Sequence, residues 1–208
     1  MFPLWGLVLG LVIGFLMRGK LSNLEKLPFK HLWLIFAALV IQLLIFPTPW
    51  SSDPIIGGET DAYHYGSYII IAIFFVINYR IYMLWPMAFG MVLNALVMTV
   101  NGIARFSQIN KFEFLMPADP SALICSGNVR VAEILRDEGQ YANIIRMDEF
   151  SHLNFLGDWI CIPEGIPAAS AISLGDVVLM LGLASLIALG MKGFPNTEET
   201  TSEKADSA

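Results

Sequence analysis

Apolar residues gather in five blocks along the chain, at 3–17, 32–46, 67–77, 83–104 and 173–191, and charged residues collect between them. Runs of this kind predict helices that cross a bilayer rather than the one-sided stripes of a soluble domain. A span needs about 20 apolar residues, or about 17 at the short end. The blocks at 83–104 and 173–191 meet that length. The other three need flanking aromatics and snorkelling basic side chains to reach the headgroups. Trp5, Trp33, Trp50 and Trp85 fall near block ends, and Tyr63, Tyr65, Tyr68, Tyr79 and Tyr82 surround the third block. That is the aromatic belt expected at the two interfaces.

The expected fold is therefore an all-α membrane protein, a bundle of about five transmembrane helices with a partly helical extracytoplasmic loop at 106–172. One membrane domain would cover 1–192, followed by a disordered cytoplasmic tail at 193–208, which is rich in Thr, Glu and Ser. The first block does not read as a signal peptide, because its positive charges, Arg18 and Lys20, follow the apolar run instead of preceding it.

Lys and Arg in short loops set the orientation. Arg18, Lys20, Lys26 and Lys30 follow the first block, Arg80 the third and Lys192 the fifth, while 47–66 carries only Asp53, Glu59 and Asp61. This predicts an outside N-terminus, an inside C-terminus and an outside long loop. Within that loop, Asp119-Pro120 starts a helix, Val131, Ile134 and Leu135 recur at helical spacing, and Gly139 stops it. One amphipathic helix, or two broken near Gly127, would cap the bundle or lie on the membrane surface.

Composition agrees and narrows the function classes. Hydrophobic residues make up 56% and charged residues 14%, against roughly 25% charged in a soluble domain. A net charge of −6 gives no basic face for nucleic acid. Cys125 and Cys161 share the outer loop, where an oxidising exterior permits a disulfide. Spacing alone does not show that the sulfurs meet.

The polar residues inside apolar blocks are the candidates for function. Asn94, Asn101 and Arg105 lie within about 40° of one another on a helix, with Gly90 on the same stripe. Such a face should look into the bundle, since an unpaired polar group facing lipid is costly. It either bonds to neighbouring helices or lines a small polar cavity for an anionic or hydrogen-bonding ligand. Gln42 is a natural partner for Asn94 or Asn101. Asp158, where the loop returns toward the membrane, is the best placed partner for Arg105. Asp176 has a structural reading, as the last member of a Ser173-Leu-Gly-Asp176 capping box. Gly6, Gly10 and Gly14 stand at four-residue spacing and allow close helix packing, either within the chain or in a homodimer. His31, His64 and His152 are scattered without metal-ligand spacing, and no catalytic or cofactor motif is present.

The run Asn94…Asn101-Gly102…Arg105, then Phe155-Leu-Gly-Asp158 with Pro163, then Ile172-Ser-Leu-Gly-Asp176, resembles the bacterial membrane family catalogued as domain of unknown function 5317. The basic turn Arg18-Gly-Lys-Leu-Ser-Asn-Leu after a Gly-rich first helix is similar too. The resemblance implies a bacterial inner-membrane location and no particular activity. After Asn101-Gly102 the family pattern would continue Gly, Arg, Met, Pro; here Ile103-Ala-Arg105-Phe follows. Three functions compete on these residues. A non-enzymatic accessory, scaffold or sensor ranks first, with the lipid bilayer and a membrane-protein partner or a second copy as its associates. A small-solute carrier or channel lined by Asn94, Asn101 and Arg105 ranks second. A membrane enzyme with an outer-face site near Asp158 ranks third.

Overall fold

The computed structural model describes residues 3–45, 55, 61–109, 113–167 and 169–193. Its main elements are α1 (Pro3–Leu16), α2 (Trp33–Ile45), α3 (Asp61–Ile77), α4 (Trp85–Ile109), β1 (Met116–Ala118), α5 (Pro120–Cys125), α6 (Val129–Glu138), β2 (Gln140–Tyr141), β3 (Ile144–Arg146), β4 (Ile160–Cys161), β5 (Ala171–Ile172) and α7 (Leu174–Lys192). The segments Tyr82–Phe106 and Leu174–Lys192 are long and apolar enough to cross a membrane, and the helices at Trp5–Leu16, Trp33–Ile45 and Tyr63–Ile77 are shorter. The expected cytoplasmic tail lies outside the described residues, as do Trp50 and most of 47–66.

The five apolar helices coincide with the five apolar blocks, with one clear shift. Helix α3 begins at Asp61, well before the block at 67. Hydropathy undervalues its first two turns because they carry His64 and Ser67, yet both side chains are buried.

Helix α7 is the centre of the bundle. It is apolar on every side, as a helix must be when neighbours cover several of its faces, and α1 and α4 pack against it. Glycines set both seams. A Cβ on Gly6 would stand 2.7 Å from the Met180 carbonyl oxygen, and one on Gly10 would stand 2.8 Å from that of Ala184. A Cβ on Gly14 would run into Met191. The four-residue glycine spacing therefore belongs to the α1–α7 seam, and this face is not free for a second copy. On the other seam a Cβ at Gly90 would lie 2.6 Å from the Gly175 carbonyl oxygen.

Contacts at the helix ends give the bundle its polarity. Trp5 Nε1 donates to the Pro167 carbonyl at 3.0 Å, so the start of α1 lies beside the 106–172 segment. At the opposite end Lys20 N–H bonds the Met191 carbonyl at 2.8 Å, and Asn78 brackets Lys30 by donating to its carbonyl at 2.9 Å and accepting from its N–H at 2.8 Å. A buried cluster of Leu34, Phe74, Phe75, Ile81, Met83, Leu84 and Leu186 fills that end.

The 106–172 segment is not merely helical, which corrects the all-α expectation. β3 is the middle strand of a small sheet, parallel to β1 and antiparallel to β2, while β4 and β5 form an antiparallel pair. Strands of two or three residues carry too little alternation to be read from sequence. The helical signals hold locally. Asp119 accepts from Ser121 N–H at 2.8 Å with Pro120 at the first helical position, and Gly139 ends α6 at φ +77°. Gly127, at φ +81°, separates α5 from α6. Cys125 at the end of α5 and Cys161 on β4 form a disulfide. This unit sits on its own bundle, because Met116 and Leu156 share a buried cluster with Val97 and Met98 of α4, flanked by Tyr68 and Leu174.

Candidate functional site

The polar stripe of α4 turns inward, and its members have separate fates. Asn94 is buried against the start of α7. Its Nδ2 donates to Asp176 Oδ1 at 2.8 Å, and its Oδ1 accepts from Ser173 Oγ at 2.8 Å. Ser173 and Asp176 also complete a capping box: Ser173 Oγ accepts from Asp176 N–H at 2.9 Å, and Asp176 Oδ2 accepts from Ser173 N–H at 3.2 Å. Gly175 is required between them, since a Cβ there would strike Asn94 Oδ1. Asn94 therefore braces the α7 capping box from the neighbouring helix, through the side chains of Ser173 and Asp176.

About two turns further along, Asn101 is 2% exposed and equally committed. Its Nδ2 donates to the carbonyls of Val97 at 2.8 Å and His152 at 2.9 Å, and its Oδ1 accepts from His152 N–H at 2.7 Å. The amide thus satisfies both backbone groups of one loop residue, as Asn78 does for Lys30 at the other end. Gln42 pairs with neither asparagine; its Nε2 donates to Ser67 Oγ at 2.7 Å.

The expected pairing of Arg105 with Asp158 does not form. Asp158 is held by its backbone on the free edge of β1, where its N–H bonds the Pro117 carbonyl at 2.8 Å and its carbonyl accepts from Asp119 N–H at 2.9 Å. A Cβ on Gly157 would collide with Pro117, so glycine permits that approach. The geometry turns the Asp158 side chain into the seam between sheet and bundle, where Oδ1 is sealed without a hydrogen-bond partner. Burial, and secondly the negative charge of Asp176, raise the Asp158 carboxyl well above the ordinary carboxylate range. The Asp158 carboxyl thus lies buried with no guanidinium partner.

Arg105 instead lines a cleft of about 350 Å³ together with Asn101, Arg146, Asp148 and Ser151. Arg146 Nη2 lies 3.3 Å from Asp148 Oδ2, and its Nη1 donates to the Arg136 carbonyl at 3.0 Å. Asp148 Oδ1 receives the N–H groups of Phe150 at 2.9 Å and Ser151 at 3.2 Å. In the sequence Arg146 is one of four basic residues of 106–172, with Lys111, Arg130 and Arg136, and stands in no motif. The Asp148-x-x-Ser151 turn was the available signal, and β3 decides that it faces α4.

These features define the class first: a mostly helical chain, with two helices able to span a membrane, a disulfide-tied cap on one end, and asparagines that fasten the cap to the bundle. The chain belongs to the family of unknown function DUF5317, whose model matches residues 26–188. The glycine-lined α1 precedes the matched region. No curated protein and no solved structure matches the chain.

Proposed function

We propose that this protein is a five-span protein of the bacterial cytoplasmic membrane, with its N-terminus and cap outside, that works by association as a non-enzymatic accessory, scaffold or sensor. The observation that carries the reading is the commitment of Asn94 and Asn101. Both amides are buried and spent on holding α7 and the His152 loop, so these two members of the α4 stripe serve the joint between bundle and cap, which favours association over a solute path lined by them. Among the described residues Arg105 and Asp158 form no ion pair, with Arg105 Nε and Asp158 Oδ1 both unpartnered, which favours association over an outer-face enzyme site built on that pair.

Two further observations support the membrane reading. Phe15, Phe36, Val76 and Phe89, on four different helices, are each more than half exposed, a pattern that costs little in lipid and much in water. The Cys125–Cys161 disulfide suits an oxidising exterior, which agrees with the basic residues at the opposite end of the bundle. The three short helices would cross with help from local thinning and interfacial aromatics.

The test has two parts. Reporter fusions after Lys192 and impermeant labelling of cysteines introduced in the cap should place the two ends on opposite sides of the membrane, with the cap outside. Purification in mild detergent should bring down a stoichiometric protein partner or a dimer. A cap facing the cytoplasm would refute the topology, and a clean monomer would refute the association.

A further inference from the structure

The Arg105 cleft holds an electrostatic imbalance that the fold does not use. Among the described residues no hydrogen bond or ion pair engages the Arg105 guanidinium, and its Nε is sealed from solvent without an acceptor. A buried donor left unmade carries a desolvation cost of about 1–3 kcal/mol, more when it is charged, so native proteins rarely leave one without a partner. Arg146 stands on the same cleft, and its own carboxylate, Asp148, is already shared with two backbone N–H groups. The cleft thus presents two guanidinium groups against one carboxylate.

We propose that this cleft binds a phosphate group, with Arg105 as the main contact and Arg146 as the second. Planar guanidinium forks match the several acceptor oxygens of a phosphate, which a single carboxylate ligand does not offer. The volume, about 350 Å³, is at the small end of ligand sites, which fits a phosphate bearing a short polar substituent and no larger group. Arg105 sits at the end of the apolar segment Tyr82–Phe106. If that segment crosses the membrane as proposed above, the cleft opens at headgroup depth, so the phosphate comes either from an anionic phospholipid headgroup or from a small phosphorylated solute. The phosphate chemistry is common to both; only the depth rests on the topology.

The experiment uses the purified full-length protein. In one arm it is placed in nanodiscs of equal phosphatidylglycerol and phosphatidylcholine, and retained lipids are counted by native mass spectrometry. In the other it is titrated in neutral detergent with inorganic phosphate and with glycerol 3-phosphate by calorimetry. Enrichment of phosphatidylglycerol identifies a lipid source, and saturable binding of either soluble probe identifies a solute source. In whichever arm binds, Arg105→Gln should weaken binding by about tenfold or more, Arg105→Lys should keep part of it, and Arg146→Gln should weaken it less.

Stability without ligand separates this role from a structural one. Loss of an unpaired charge leaves the melting temperature of Arg105→Gln unchanged or raised, whereas a structural arginine predicts a lower one. Should Arg105→Gln fail to fold, the proposal fails, because the side chain would then have a structural partner. No binding in either arm, or equal binding by wild type and Arg105→Gln, overturns it as well. The labelling experiment on the same variants reports the topology separately, so a wrong topology and an empty cleft give different results.

Discussion

Replacing Asn101 by Leu should loosen the joint between bundle and cap without disturbing the helix that carries it. Three hydrogen bonds disappear. The one to the Val97 carbonyl matters least, because that oxygen keeps its helical partner, the backbone N–H four residues on. The two to His152, at 2.7 and 2.9 Å, close a ring around the backbone of one residue. Removing them strands a donor and an acceptor, at about 1–3 kcal/mol each if both stay buried. The His152 residue is exposed at the surface, so water can reach part of the site and the low end of that range applies, about 2–3 kcal/mol in total. For a chain of this length each kcal/mol moves the melting temperature by roughly 2–4 °C, which gives an expected fall of about 4–12 °C. Thermal unfolding in detergent measures the fall, and hydrogen exchange locates it at the His152 amide. Asn101→Asp refines the test, since a carboxylate still accepts from His152 N–H but cannot donate to its carbonyl. Unaltered exchange at His152 together with a melting shift below about 1 °C would refute the assignment of Asn101 as a loop fastener.

The remaining expectations concern the two seams and the cap. Gly10→Ala places a Cβ 2.8 Å from the Ala184 carbonyl oxygen and from Ile187 Cβ, and should destabilise by about 1–3 kcal/mol. Gly66→Ala in α3, where a Cβ meets nothing within 4 Å, should stabilise by about 0.5–1 kcal/mol; chemical or thermal unfolding of the pair reads the difference. The Asp158 carboxyl, raised in the folded chain by burial and by Asp176, binds its proton more tightly folded than unfolded. Stability from this group is complete below the unfolded carboxyl range near pH 4 and is lost as pH rises through the raised folded value. Asp158→Asn should therefore flatten the fall of melting temperature with rising pH, and an unchanged slope would count against the burial of this carboxyl. The Cys125–Cys161 bridge spans 36 residues, so Cys125→Ser should cost the cap about 4 kcal/mol in the chain-entropy account. A mobility difference between reduced and unreduced wild type, absent in the variant, would show the bond in protein isolated from membranes.

Much of the fold was legible because helix burial in a membrane-like chain writes itself into long apolar runs. The five helices, the Asp119 cap, the Gly139 stop and the Ser173–Asp176 capping box are local matters of composition and spacing, and local signals found them. The stripe of Asn94, Asn101 and Arg105 was also visible, since helical geometry alone puts the three on one face. Which partner each one meets was not. Gln42 went to Ser67, Asn94 to the capping residues of α7, Asn101 to His152, and Asp158 to a buried position without Arg105 as its partner. Each outcome depends on groups tens of residues distant whose approach is set by glycine contacts, such as Gly175 against Asn94 and Gly157 against Pro117.

By itself, then, the sequence determined that this chain is mostly helical, that its apolar helices need an apolar surrounding or one another, and that α4 must turn a polar face inward. Tertiary structure alone decided that the α1 glycines serve α7, that short strands knit the cap, and that Arg105 shares a cleft with Arg146 and does not pair with Asp158. The physical reason is range. Hydropathy, capping and glycine spacing act within a few residues, whereas hydrogen-bond partners and charge neighbours are chosen only after the helices have packed.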